Sequence, residues 1–183
     1  MRGYFGIGVE GISKPMNLGS LLRTAHAFDA SFAFTVAAAY PRGEGRAADT
    51  SDAPGALPLF EYDDVASFRL PRDCVLVGVE IVDDAIELPS FRHPHAAAYV
   101  LGPERGVLSP GMLALCQHVV RIPTRFSINL ALCGALVMYD RLVTLGRFPP
   151  RPVTAGGPKD PPPLAAFGPP RFRTRKGGGS GER

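Results

Sequence analysis

The stretch Arg121–Leu130, RIPTRFSINL, decides how the rest of the chain is read. A β-branched run ends at Ile122, and Pro123 stops it because proline has no N–H to give to a ladder. A short polar segment follows, and an apolar helix opens at Leu130 behind Ser127 or Asn129, both good N-cap residue types. Strand end, polar loop and helix start within ten residues form the junction of an α/β unit. Polar side chains gathered at a helix N-terminus beside a strand end suit an anion, or the carboxylate or ribose of a cofactor. Capping alone accounts for them equally well.

Outward from that junction the same grammar repeats. Strands are expected at Tyr4–Val9, Phe32–Ala37, Leu57–Phe60, Cys74–Ile81, Ala98–Leu101 and Val119–Ile122, with helices following Asn17, Asp63, Ser109 and Asn129. Asn17 reads as an N-cap ahead of Leu18, Leu21 and Leu22, and Ser109-Pro110 has the cap-then-proline order of a helix start. Alternation of this kind predicts an α/β domain built on a mostly parallel sheet with helices on both faces. The segment from Tyr40 to Ala56 reads as a long surface loop or a short weak helix. The last helix, from about Leu130 to Leu145, is apolar on nearly every face in its first half and must be covered all round, by the domain core or partly by a second subunit.

Two further segments could carry chemistry. Lys14–Arg23, KPMNLGSLLR, puts Asn17, Gly19 and Arg23 on the first turns of one helix, where a capping Asn and a surface Arg would suffice as an explanation. Val100–Gly106, VLGPERG, runs a strand into a turn, and glycine at the C-terminal end of a parallel strand lets the backbone approach a ligand. A tight turn with a solvated Glu104 and Arg105 is the plainer alternative. Gly6, Gly8 and Gly11 match G-x-G-x-x-G, but they fall in or just after a strand, and Lys14-Pro15 follows where a dinucleotide-binding helix should already run.

Composition narrows the field. The 183 residues, 45% of them apolar, suffice for one core of ordinary size. No apolar run reaches the roughly 18–20 residues of a membrane span, and no secretory signal opens the chain, so a cytoplasmic protein is expected. Cys74, Cys116 and Cys133 are widely spaced, which suggests neither a disulfide framework nor a metal site. Residues 149–183 carry a net charge of +5, leaving −2 on the remainder, and hold nine Pro and seven Gly. Such a composition predicts a domain over 1–148 and a disordered, Pro/Gly/Arg-rich basic tail over 149–183, which could contact phosphates or merely keep the chain in solution.

Taken together and in order, the three segments resemble the motifs of the SpoU/TrmH family of RNA ribose 2′-O-methyltransferases, in the SPOUT superfamily. Asn-x-Gly-x-x-x-Arg stands here as Asn17, Gly19 and Arg23. The family's Leu-Gly-x-Glu-x-x-Gly stands as Leu101, Gly102 and Glu104, followed less closely by Arg105-Gly106. Its Ile-Pro and Ser-x-Asn stand as Ile122-Pro123 and Ser127 with Asn129. The resemblance spans roughly residues 3–147. It implies a C-terminal deep trefoil knot, which ordinary topology rules would have argued against. A homodimer packed through the first and last helices is also implied. So is an S-adenosyl-L-methionine cofactor held by the backbone around Val79, Glu80, Leu101, Gly102, Ile122 and Leu130. Arg23 corresponds to the catalytic arginine, with Asn17, Glu104, Ser127 and Asn129 as positioning groups. The implied partner is RNA, tRNA ahead of rRNA; a non-catalytic RNA-binding or ribosome-assembly factor of the same fold is the alternative.

Overall fold

A computed structural model describes residues 3–41 and 57–157. Its centre is a seven-stranded, wholly parallel sheet of β1 (Tyr4–Glu10), β2 (Phe32–Val36), β3 (Leu59–Tyr62), β4 (Val75–Val79), β5 (Ile86–Glu87), β6 (Ala96–Leu101) and β7 (His118–Arg121), in the spatial order β3-β2-β1-β6-β4-β7-β5. The helices are α1 (Pro15–Ala27), α2 (Pro110–Leu115) and α3 (Leu130–Leu145), with a 3-10 turn at Leu88–Ser90. Parallel strands buried on both faces read as continuous apolar runs, and β2 (FAFTV) is buried along its whole length.

Strand periodicity sorts the core into two layers. Phe5, Ile7 and Val9 of β1, Val77 and Val79 of β4, and Tyr99 and Leu101 of β6 face α1 and α3. Phe32, Phe34 and Val36 of β2, with Leu76, Ala98 and Val100, face α2 and the loop bearing Phe68. On this second face β1 presents Tyr4, stacked on Phe32 at 5.4 Å, and Glu10 at its two ends, with Gly6 and Gly8 between them. A Cβ on either would lie within 2.6 Å of the Phe32 or Phe34 ring carbons, so these glycines make room for the neighbouring phenyl rings. That is what the G-x-G pattern encodes here.

Several expectations are corrected. Helix α1 begins at Pro15 with Lys14 as its N-cap, so Asn17 lies inside the first turn and its side chain is free for other work. The helix expected after Asp63 is absent. There Asp64 and Ser67 bond each other's backbone and side chains, with Asp64 Oδ1 accepting from Ser67 N at 2.7 Å, and this local closure competes with helix propagation. The strands expected from Leu57, Cys74 and Val119 begin instead at Leu59, Val75 and His118, and the two-residue β5 was missed. Most of the Tyr40–Ala56 segment lies outside the described residues, as does the tail from 158 onward. The first unit of the chain ends at Arg147, and residues 148–157 hold no helix or strand.

The topology holds one unusual step. β7, the last strand in sequence, lies between β4 and β5, which are consecutive. Val120 pairs with both Val79 and Ile86, so the connection from Glu80 to Ala85 must cross the end of β7.

Beyond β7 the chain returns to α1, where α3 packs with Gly134 beneath Leu21. The far end of α3 is fixed by a buried polar network. Arg141, 2% exposed, donates to the carbonyls of Pro94 (2.6 Å) and His95 (2.7 Å) and to the Tyr99 hydroxyl (3.1 Å). Its guanidinium also lies 5.0 Å from the Phe5 ring centroid. Because Tyr99 accepts from Arg141, its own proton goes to His93 Nδ1 at 2.6 Å, and His93 Nε2–H then donates to Asp140 at 2.9 Å. Burial pushes the His93 imidazole below its ordinary value, more than Asp140 raises it.

Replacing Arg141 by Met takes the donor from the Pro94 carbonyl and the Tyr99 hydroxyl and leaves the His95 carbonyl with Tyr4 N alone, and should lower the unfolding free energy by about 3 kcal/mol in chemical denaturation. The neutral form of His93 is the one the fold holds, so the unfolded chain binds its proton first as pH falls. Its contribution is therefore complete above the unfolded value of 6.5 and declines as pH drops toward the lower folded value. A His93→Gln variant should show a flatter stability profile between about pH 7 and 5; an unchanged slope there would assign the pH dependence elsewhere.

Candidate active site

In a parallel sheet every strand ends on the same edge, and ligands bind outside it. Here that edge carries a cleft of about 380 Å³. Its walls come from the ends of β4 (Val79–Ile81), β6 (Leu101–Glu104) and β7 (Arg121, Ile122), and from the starts of α1 (Lys14, Asn17) and α3 (Ser127–Leu130, Cys133). All six residues expected around a cofactor, Val79, Glu80, Leu101, Gly102, Ile122 and Leu130, line it.

Three segments distant in sequence meet at this cleft through side-chain hydrogen bonds. Glu104 accepts from Ser13 N (3.1 Å) and Oγ (3.0 Å), from Lys14 N (3.2 Å) and from Asn17 Nδ2 (2.9 Å). A carboxylate can only accept, so Asn17 must turn its NH2 toward Glu104 and its oxygen away. That oxygen receives Asn129 Nδ2 at 3.3 Å, which leaves Asn129 Oδ1 to cap α3 by accepting from Ala131 N (2.9 Å) and Leu132 N (3.4 Å). The orientation of each amide is thus fixed by its neighbour. Burial works to raise the Glu104 carboxyl, but the bonds from Asn17 and Ser13 outweigh it and hold the group below the usual carboxylate range. Glu104 is therefore an anion near neutral pH, with its acceptor capacity largely used.

The loop bearing Glu104 is clamped at its other end by two more carboxylates. Glu80 accepts from Ile81 N and Leu108 N, both at 2.9 Å. Glu10, 6% exposed, accepts from Ser109 N (2.8 Å) and Ser109 Oγ (2.6 Å). Gly102 is needed where these strands crowd, because a Cβ there would come within 2.6 Å of Glu80 Oε2. Neither clamp is visible in the motif reading, since Glu10 and Ser109 lie 99 positions apart and Glu80 and Leu108 lie 28 apart. Ser13, with two bonds to Glu104, was missed for the same reason.

Of the five residues expected to carry catalysis, Asn17, Glu104, Ser127 and Asn129 line the cleft. Arg23 does not: it is exposed on α1 and absent from the walls. Among the described residues, no group of three or more His, Cys, Asp or Glu could hold a metal ion. Burial raises the Cys133 thiol, at the cleft wall, to about 12, which makes it an inert lining group.

Comparisons with known proteins agree with this geometry. The family model described as SpoU rRNA methylase matches residues 5–139. No curated protein sequence matches significantly. Among solved structures, an rRNA methyltransferase from Sinorhizobium meliloti superimposes with a TM-score of 0.66 at 20% identity, over 77% of this chain and 56% of that one. The SpoU methyltransferase AviRb from Streptomyces viridochromogenes, in complex with AdoMet, gives 0.66 at 20% identity, over 76% and 57%. A protein whose structure concerns 2-OH methylation of C/U34 on tRNA gives 0.69 at 21% identity, over 79% of this chain and 98% of that one. At such identities the likeness is one of fold, and the chain spans little more than half the length of the first two. The family match covers most of the sequence and includes all three segments that meet at the cleft: this chain belongs to the SpoU rRNA methylase family.

Proposed function

We propose that this chain is an S-adenosyl-L-methionine-dependent RNA methyltransferase that modifies a ribose 2′-hydroxyl, with tRNA as its substrate. The observation that carries this reading is the joining of Asn129, Asn17 and Glu104 by hydrogen bonds at one cleft on the C-terminal edge of the sheet. The cleft also fits the cofactor. Val79, Leu101, Ile122 and Leu130 give an apolar slot for a purine, while Ser127 and Asn129 supply polar contacts for the ribose and the amino-acid portion. Carboxylates at Glu80 and Glu104 put negative charge near a sulfonium. When bound, S-adenosyl-L-methionine would supply the electrophilic methyl group.

The chain's own part is positioning and charge. The hydroxyl oxygen must lie in line with the methyl, and the rigid Asn129–Asn17–Glu104 chain gives that geometry a fixed wall. Arg23, whose guanidinium carries donors and no acceptor, is poorly suited to take a proton; binding a phosphate beside the hydroxyl and stabilising its developing negative charge is the physically easier role. Its place outside its own cleft calls for a substrate reaching along α1, or for a second copy that brings its Arg23 to this cleft.

A second copy is favoured by the surface of α3. Leu132, Leu136 and Tyr139 are 62%, 43% and 51% exposed and follow one another at helical spacing, and Met16 on α1 is 79% exposed. We read this stripe as the homodimer face. The crossing of the Glu80–Ala85 connection over β7 supports the deep trefoil knot. Preference for tRNA rests on the likeness to the structure concerned with 2-OH methylation of C/U34 on tRNA, which has the higher TM-score of the two, 0.69 against 0.66. In this reading the basic segment from 149 adds nonspecific phosphate affinity in the cytoplasm. No helix among the described residues is long and apolar enough to cross a membrane.

Nucleoside mass spectrometry of tRNA and rRNA from cells with and without the gene tests the reaction. One 2′-O-methylnucleoside of tRNA should vanish and be restored by the wild type but not by Arg23→Ala, which should keep its affinity for the cofactor; an unchanged nucleoside profile would favour a binding factor without turnover. Glu104→Gln turns an NH2 toward donors that need an acceptor, and should weaken cofactor binding about tenfold or more in calorimetry. Leu136→Glu should halve the mass seen in sedimentation equilibrium, and a mass equal to wild type would remove α3 from the interface.

A further inference from the structure

A cleft of about 380 Å³ is largely filled by one nucleoside-sized cofactor. A ribose presented to it then carries its base toward the rim. One exposed aromatic group stands in the loop that forms part of that rim. Phe126 is 75% exposed, in the connection between β7 and α3, and its neighbours Thr124, Ser127 and Ile128 are cleft-lining residues. A lone exposed phenyl ring is ordinary on a protein surface. Two features separate this one from that background.

The first is local bracing. Thr124 N donates to the Ile122 carbonyl at 2.8 Å, Thr124 Oγ1 donates to the Phe126 carbonyl at 2.9 Å, and the segment then ends in the Asn129 cap. The ring is thus presented from a loop held at both ends, which reduces the ordering cost of binding. The second is charge. Arg125 is exposed beside Phe126, Lys14 lines the cleft, and Arg105 is exposed beside Glu104. None of these three side chains has an ion-pair partner among the described residues; Arg121 has Glu87 at 3.5 Å. Unneutralised cations on the segments that line the cleft, together with an exposed aromatic ring on one of those segments, match the pattern by which proteins hold single-stranded nucleic acid, with bases stacked on rings and phosphates on cations.

We infer that Phe126 is a stacking platform for a nucleobase of single-stranded RNA at the mouth of the cleft, with Arg125, Lys14 and Arg105 holding the adjoining phosphates. This rests on the reading that the substrate is RNA whose ribose enters the cleft. Every base presents a π-face, so the contact supplies affinity and placement rather than base identity.

The chain contains no tryptophan, so Phe126→Trp introduces a single fluorophore at the point in question. A short single-stranded RNA should quench its emission saturably, while an abasic oligomer of equal length and charge should bind through the cations with little quenching. Phe126→Ala should raise the KM for RNA about tenfold with cofactor affinity unchanged, and Phe126→Tyr should restore it. Equal quenching by the abasic oligomer, or an unchanged KM in Phe126→Ala, would overturn the proposal. So would emission already blue-shifted in a protein-concentration-dependent way before RNA is added, because Phe126 would then be covered by a second copy. Quenching needs no methyl transfer, so absence of turnover with base-dependent quenching would count against the enzymatic reading while leaving the platform in place.

Discussion

The structure of the site depends on the orientation of one amide. Asn17 stands between an acceptor that cannot donate, Glu104, and a side chain that must keep its oxygen for capping, Asn129. Its NH2 has only one useful direction, and that direction joins the loop after β6 to the first turn of α1 and to the start of α3. Were Asn17 the N-cap of α1, as its position before an apolar helix suggests, it would be spent on its own backbone. Pro15 at the first helical position and Lys14 as the N-cap release it.

Around this bond the fold works as a set of clamps. Glu10 and Glu80, at the ends of β1 and β4, grip the backbone of Ser109 and Leu108, so the loop that carries Glu104 is fixed at both its ends. On the opposite side of the domain, Arg141, Tyr99, His93 and Asp140 tie the last turns of α3 to the entry of β6. The helix is therefore held at its N-terminus by an amide in the cleft and near its C-terminus by a buried guanidinium. A cleft built from five chain segments can keep its shape only if the segments cannot slide, and parallel strands, whose C-terminal ends all open on one edge, supply little restraint at that edge by themselves.

The apolar faces were legible in sequence to different degrees. The short apolar runs of β1, β2 and β4 predicted strands because a pleated surface buried on both faces selects those residues whatever lies opposite. The expected helix after Asp63 failed because the mutual bonds of Asp64 and Ser67 are short-range and polar, and hydrophobic periodicity carries no trace of them. Apolar composition in the first half of α3 predicted full coverage; among the described residues only one side is covered, and Leu132, Leu136 and Tyr139 remain at the surface. Composition reports that a face is apolar and says nothing of which molecule covers it.

By itself the sequence determined that this is an α/β domain with a parallel sheet, and its resemblance to one family's motifs grouped Asn17, Gly102, Glu104, Ser127 and Asn129 into one pattern. Only the tertiary structure decided that Asn17 bridges rather than caps, that Glu10, Ser13 and Glu80 brace the site, and that Arg23 stands outside the cleft of its own chain. Local order follows from side-chain pattern, since burial and capping act within a few residues. Contacts across ninety or more positions depend on which strand ends the sheet brings side by side, and that order is set by packing of the whole domain.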